Sequence, residues 1–195
     1  MKKLVIILFI GLFACKSGFN SSSRNCIVKQ EREILKKAVE LFELKIQKQY
    51  PEISKEAAYF EFVTEWANKK LPMDFFQDSL ELKIRSLNLW EESERSNKDA
   101  ELEKKLFNVD YINPVRVKLN YTFSNCLSKT TTDWDGIRSF LLANSKYRLS
   151  PNLALKNFYR SNENDLKEFE NRLAIVLGVY YQTMFNIKNT VVSNS

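Results

Sequence analysis

The sequence predicts an all-α fold: a compact bundle of six or seven helices behind a flexible N-terminal tether. Apolar residues recur at helical spacing through most of the chain, as at Ile34, Ala38, Phe42, Ile46 and Tyr50. Caps and prolines punctuate these runs at Pro51, Ser54, Pro72 and Ser150-Pro151. Near the C-terminus, LAIVLGVYY (173–181) is apolar on every side, as a helix at the centre of a bundle must be.

The first helix is expected over about 28–49, where Leu35, Val39 and Leu41 widen the stripe and Pro51 stops it. Ser54 is a good N-cap for a second helix, with Ala58, Phe62, Val63, Trp66 and Ala67 inward and an end before Pro72. Tyr59 and Phe60 extend that aromatic run, which at helical spacing reads as core. Asp74 and Gln77 have the spacing of a capping box and open a third helix, about 74–107, carrying Phe76, Leu80, Ile84, Leu87 and Trp90. Its second half is nearly all polar. The pairs Glu91/Arg95, Glu94/Lys98 and Glu101/Lys105 place acid four residues before base, an orientation that contributes ~0.2–0.5 kcal/mol per pair. A break at Ser96-Asn97 is the alternative.

Residues 115–123 alternate apolar and polar, the strongest strand signal in the chain. The same residues give a helical stripe through Val115, Leu119, Phe123, Cys126 and Leu127; with no partner strand in view, helix is the assignment. Further helices are expected from Asp133 and from Ser150-Pro151, the latter with Leu153, Leu155 and Phe158. The last, about 163–188, aligns Leu166, Phe169, Leu173, Leu177, Tyr180 and Met184, with Gly178 allowing a close backbone approach.

Composition narrows the chemistry. With no His among 195 residues, Ser-His and Cys-His catalysis and His-ligated zinc are excluded. The 4 Gly lie far apart, so no phosphate-cradling loop exists. No motif selects two of the 24 acids as a catalytic pair. Thr131, Asp133, Asp135 and Gly136 imitate half of a calcium loop, but Thr131 and Leu142 stand where ligands are required, and a helix start explains them better. The chain is expected to use no metal or cofactor and to be no enzyme.

The N-terminus carries an address. Lys2 and Lys3 precede ten apolar residues, Leu4–Phe13. That is half the ~20 needed to span a bilayer, so the stretch reads as an export signal. Leu12-Phe13-Ala14-Cys15 then resembles the bacterial lipobox, with Phe13 bulkier than usual, as in its relaxed spirochaetal form. The resemblance implies cleavage before Cys15, diacylglycerol on its sulfur and acylation of the new amine. One acyl chain binds membranes marginally; two or more hold stably. The expected organisation is a signal peptide (1–14), lipidated Cys15 with a Ser/Asn-rich tether (15–27), a helical domain (28–189) and a disordered tail (190–195).

Loss of Lys2 and Lys3 takes the formal charge from +6 to +4, and the remaining basic residues are scattered, so specific nucleic-acid binding is not expected. Cys26 and Cys126 are the remaining thiols. A bridge between them would close a loop of about 100 residues, worth ~4–5 kcal/mol in the chain-entropy model; two separate free thiols are the alternative. For a protein partner, the surface to name is the polar stretch with Glu91, Glu94, Arg95, Lys98, Glu101 and Lys105.

Taken with the Lys/Asn/Phe/Ile-rich usage, the Cys15 box and the tether resemble the helical outer-surface lipoproteins of Borrelia-type spirochaetes. The resemblance implies a lipid-anchored, surface-exposed outer-membrane protein whose helical domain binds a host or environmental macromolecule, a protein or a glycosaminoglycan. A periplasm-facing envelope structural or assembly factor is the other reading. The resemblance carries over no binding residue.

Overall fold

The computed structural model describes residues 29–92, 115–118, 155–156 and 158–193. Helix α1, Lys29–Gln49, follows its apolar stripe: Leu35, Ala38, Val39, Phe42 and Ile46 are buried. It ends at the turn holding Pro51, and the Tyr50 hydroxyl donates to Glu65 Oε2 at 2.6 Å, pinning that end to α2, Lys55–Ala67. Ser54 caps α2 as its sequence predicts, its Oγ accepting the Ala57 N–H at 3.0 Å. At the other end, Lys69 N–H bonds the Trp66 carbonyl and Lys70 N–H the Glu65 carbonyl. This is a Schellman closure with Lys69, φ 55°, in the left-handed position that usually holds glycine.

The long third helix is not formed. Residues 73–92 instead fold as a 3₁₀ turn (Met73–Phe75), a short helix α3 (Glu81–Arg85) and strand β1 (Trp90–Glu92). Tertiary contacts outcompete the helical pattern here. Phe75 and Phe76 are both buried against Tyr180, their ring centroids 6.0 Å and 5.9 Å from its own. The capping box is replaced by Asp78, whose Oδ1 accepts the Leu80 N–H at 2.6 Å. The Ile84 carbonyl is taken by the Trp90 indole N–H at 2.7 Å.

Val115–Val117 is strand β2, not helix. The partner that the sequence did not reveal is β1, which pairs with it antiparallel: Trp90 opposite Val117, Glu91 opposite Arg116, Glu92 opposite Val115. The alternation was a true strand signal, with Val115 and Val117 buried and Arg116 half-buried between them. The expectation of an all-α bundle of six or seven helices is therefore overturned: helices pack with a two-stranded antiparallel sheet.

The C-terminal rod begins after a 3₁₀ turn at Asp165–Lys167 and comprises α4 (Phe169–Ile175), a π-helical segment (Val176–Tyr181) and α5 (Gln182–Ser193). Residues 173–181 are buried on all sides, as the apolar run predicts. Phe42 is the hub of the core, its ring centroid 4.8 Å from Phe62, 5.1 Å from Tyr180 and 5.3 Å from Tyr59. The helix starts read at Asp133 and Ser150-Pro151 lie outside the described residues; Leu155 and Phe158 sit in a helical turn closed by Tyr159 N–H to the Leu155 carbonyl.

Candidate functional site

Among the described residues, three polar constellations join elements across the core. The first centres on Lys45, at the border of the α1 stripe beside Ile46. Its Nζ donates to the carbonyls of Phe75 at 2.8 Å and Gln77 at 2.5 Å, and to the Tyr180 hydroxyl at 2.8 Å. An ammonium has three donors, and all three are engaged. The Tyr180 hydroxyl donates onward to the Gln77 carbonyl at 2.8 Å. The cation also lies 5.3 Å from the Phe75 ring centroid and 5.1 Å from that of Tyr180, contacts worth ~0.5–2 kcal/mol. Lys45 thus clamps the 73–80 loop between α1 and the π segment.

Burial lowers the Lys45 pKa, against the opposing charges of Asp78 and Asp74. Burial raises the Tyr180 pKa, and Asp78 and Glu81 add to the shift. Tyr181 is raised by burial and then by Asp78, beside which its hydroxyl sits without a hydrogen bond of good geometry. Neither phenol can serve as a phenolate base near neutral pH. Lys45 would have to break three hydrogen bonds to act as a nucleophile. The chemistry of this cluster is attachment.

The second constellation surrounds Glu43. Its Oε1 lies 3.0 Å from Arg172 Nε and accepts the Tyr59 hydroxyl at 3.2 Å, while Oε2 lies 3.3 Å from Lys55 Nζ. Arg172 Nη1 also donates to the carbonyls of Leu166 and Lys167, both at 3.3 Å. Burial, then the charge of Glu43, holds the Tyr59 pKa well above its ordinary value. One half-buried carboxylate thereby ties α1 and α2 to the start of α4.

The third is a pair of amides on α5. Asn186 Oδ1 accepts the Val115 N–H at 2.8 Å and its Nδ2 donates to the Val115 carbonyl at 3.1 Å. Gln182 Oε1 accepts the Val117 N–H at 3.1 Å. In an antiparallel pair, alternate residues point their backbone groups away from the partner strand. The Lys118 N–H bond to the Leu89 carbonyl marks the inward set, so Val115 and Val117 belong to the outward set. Four residues of helix rise ~6 Å and two of strand ~6.7 Å, so Gln182 and Asn186 meet successive outward residues.

Of the sequence-predicted sites, Glu91 is exposed in β1 opposite Arg116; it is in a strand, so the helical Glu91/Arg95 pairing is overturned. Glu94, Arg95, Lys98, Glu101, Lys105, Cys15, Cys26, Cys126 and the 131–142 loop lie outside the described residues. Lys45, Glu43, Arg172, Gln182 and Asn186 were not singled out from sequence. The available signals were a lone cation beside the α1 stripe and two amides spaced by four after an all-apolar run. Among the described residues, no group of three His, Cys, Asp or Glu is placed to hold a metal, and no helix is long and apolar enough to cross a membrane. Comparison with protein-family models, curated proteins and solved structures finds no match.

Proposed function

We propose that the chain is a lipoprotein, anchored through Cys15 in the bacterial outer membrane and exposed at the surface, where its folded body binds a macromolecular partner. The observation that carries this reading is Cys15 itself, placed behind Ala14 after a basic start and ten apolar residues. α1 begins 14 residues after Cys15, so the connecting chain can hold the body no more than roughly 50 Å from the lipid. The polar groups inside the body support recognition rather than turnover: Lys45, Glu43, Arg172, Tyr59 and Tyr180 are engaged in holding elements together. Recognition then falls to exterior residues, and the stretch from Glu91 to Lys105 is the surface proposed for a protein partner.

Metabolic labelling with palmitate tests the anchor. The native chain should take up label and partition into detergent, and Cys15→Ala should do neither while its body stays folded. An unlabelled native chain, or a variant that still partitions with detergent, would overturn the reading. Protease treatment of intact cells separates surface exposure from a periplasm-facing role, since only a surface protein is degraded.

A further inference from the structure

We propose that the π segment Val176–Tyr181 is a register device that makes the clamp on the 73–80 loop and the support of strand β2 a single coupled state. The rod must satisfy two fixed sets of partners. Near the end of the segment, the Tyr180 hydroxyl has to meet Lys45 Nζ and the Gln77 carbonyl, while α4 ahead of it is fixed by Arg172 on Glu43. Downstream, Gln182 and Asn186 have to meet the outward backbone groups of Val117 and Val115. The Gln182 N–H reaches back five residues, to the Leu177 carbonyl, so the rod holds one more residue per turn here than an α-helix does. Were the segment to relax to α geometry, everything after it would rotate by about 100° relative to everything before it. With α4 held by Arg172 on Glu43, Tyr180 would leave the loop and Gln182 and Asn186 would leave the strand.

π geometry is rare because it packs its own backbone less well than the α-helix, and it persists where the surroundings require it. Here the requirement comes from two separate sets of hydrogen bonds. Each set of hydrogen bonds holds the segment in the register that the other set needs. Loss of one set removes part of the reason for the π turn, and relaxation of the turn withdraws the other set. That is the form of a two-state element biased from two places. The loop end is reachable from outside, since Met73 beside the clamp is 74% exposed. The strand end leads through β2 to β1 and the exposed Glu91. A ligand pulling on the loop would therefore loosen the β1–β2 pair, and one gripping that pair would tighten the loop.

Amide hydrogen exchange on the full mature chain tests the coupling. Tyr180→Phe removes a hydroxyl whose hydrogen bonds, among the described residues, are to Lys45 and the Gln77 carbonyl. It should nonetheless speed exchange at the Val115 and Val117 amides at least tenfold. In the reverse arm, Asn186→Leu should speed exchange of the Leu80 and Ile84 amides, which Asn186 does not touch. Val63→Ala, a core truncation that removes no member of either set, controls for general loosening and should not single out these amides. Faster exchange confined to the neighbourhood of each substitution, or the same pattern in Val63→Ala, would overturn the proposal.

Discussion

Lys69 holds a left-handed backbone conformation that disfavours any residue with a Cβ, by ~1–2 kcal/mol. Glycine removes that strain but adds freedom to the unfolded chain. Lys69→Gly is therefore expected to stabilise the fold by ~0.5–1 kcal/mol, seen as a higher denaturant midpoint with an unchanged slope. Lys45 is the opposite case. Lys45→Met keeps the stem but withdraws three hydrogen bonds, leaving the Phe75 carbonyl without its ammonium partner. A loss of about 1–3 kcal/mol is expected in chemical denaturation. Lys45→Arg should not rescue it, because a planar fork cannot address three acceptors grouped around one point.

At the scale of elements, the amide support of β2 can be probed alone. Asn186→Leu leaves the Val115 N–H and carbonyl without their partners in a buried setting, and should lower stability by about 1–3 kcal/mol. Helices α1 and α2 were legible in the sequence because their signals are local: a four-residue apolar recurrence, a serine cap, and prolines beyond each end. Residues 74–92 were not, because what decides them is remote. Lys45 lies about thirty residues away from the carbonyls it claims, and β1 finds its partner only after residue 114. The strand at Val115 was visible as alternation, yet a strand without a visible partner loses to a helical stripe in the same letters. The π segment was invisible for another reason: a run apolar on all sides reports burial but no angular register. The candidate site was the least legible part, since Lys45 and Glu43 read as ordinary border charges until the loop and α4 are set against them.

For the whole molecule, alkaline pH is the informative variable. Tyr50, Tyr59, Tyr180 and Tyr181 all have pKa values raised by burial first, with neighbouring carboxylates adding. A raised folded-state pKa gives stability that is present below the unfolded value of about 10 and is lost as pH climbs beyond it. Lys45, lowered in the fold, works in the reverse sense: its own contribution makes stability rise with pH between its folded value and about 10.4. Four phenols outweigh one ammonium, so unfolding should set in above about pH 10. Their phenolate absorbance should appear together with loss of helical signal rather than before it. Ionisation of these tyrosines in a chain that keeps its circular dichroism would contradict the buried core described above.

The amides of Gln182 and Asn186 also limit how copies of the chain can associate. A sheet with two free sides can recruit neighbours indefinitely; one whose far side is already plugged by a helix cannot. Among the described strands, pairing between copies of the chain is then left to β1, so it would terminate at a closed pair rather than propagate into a fibre.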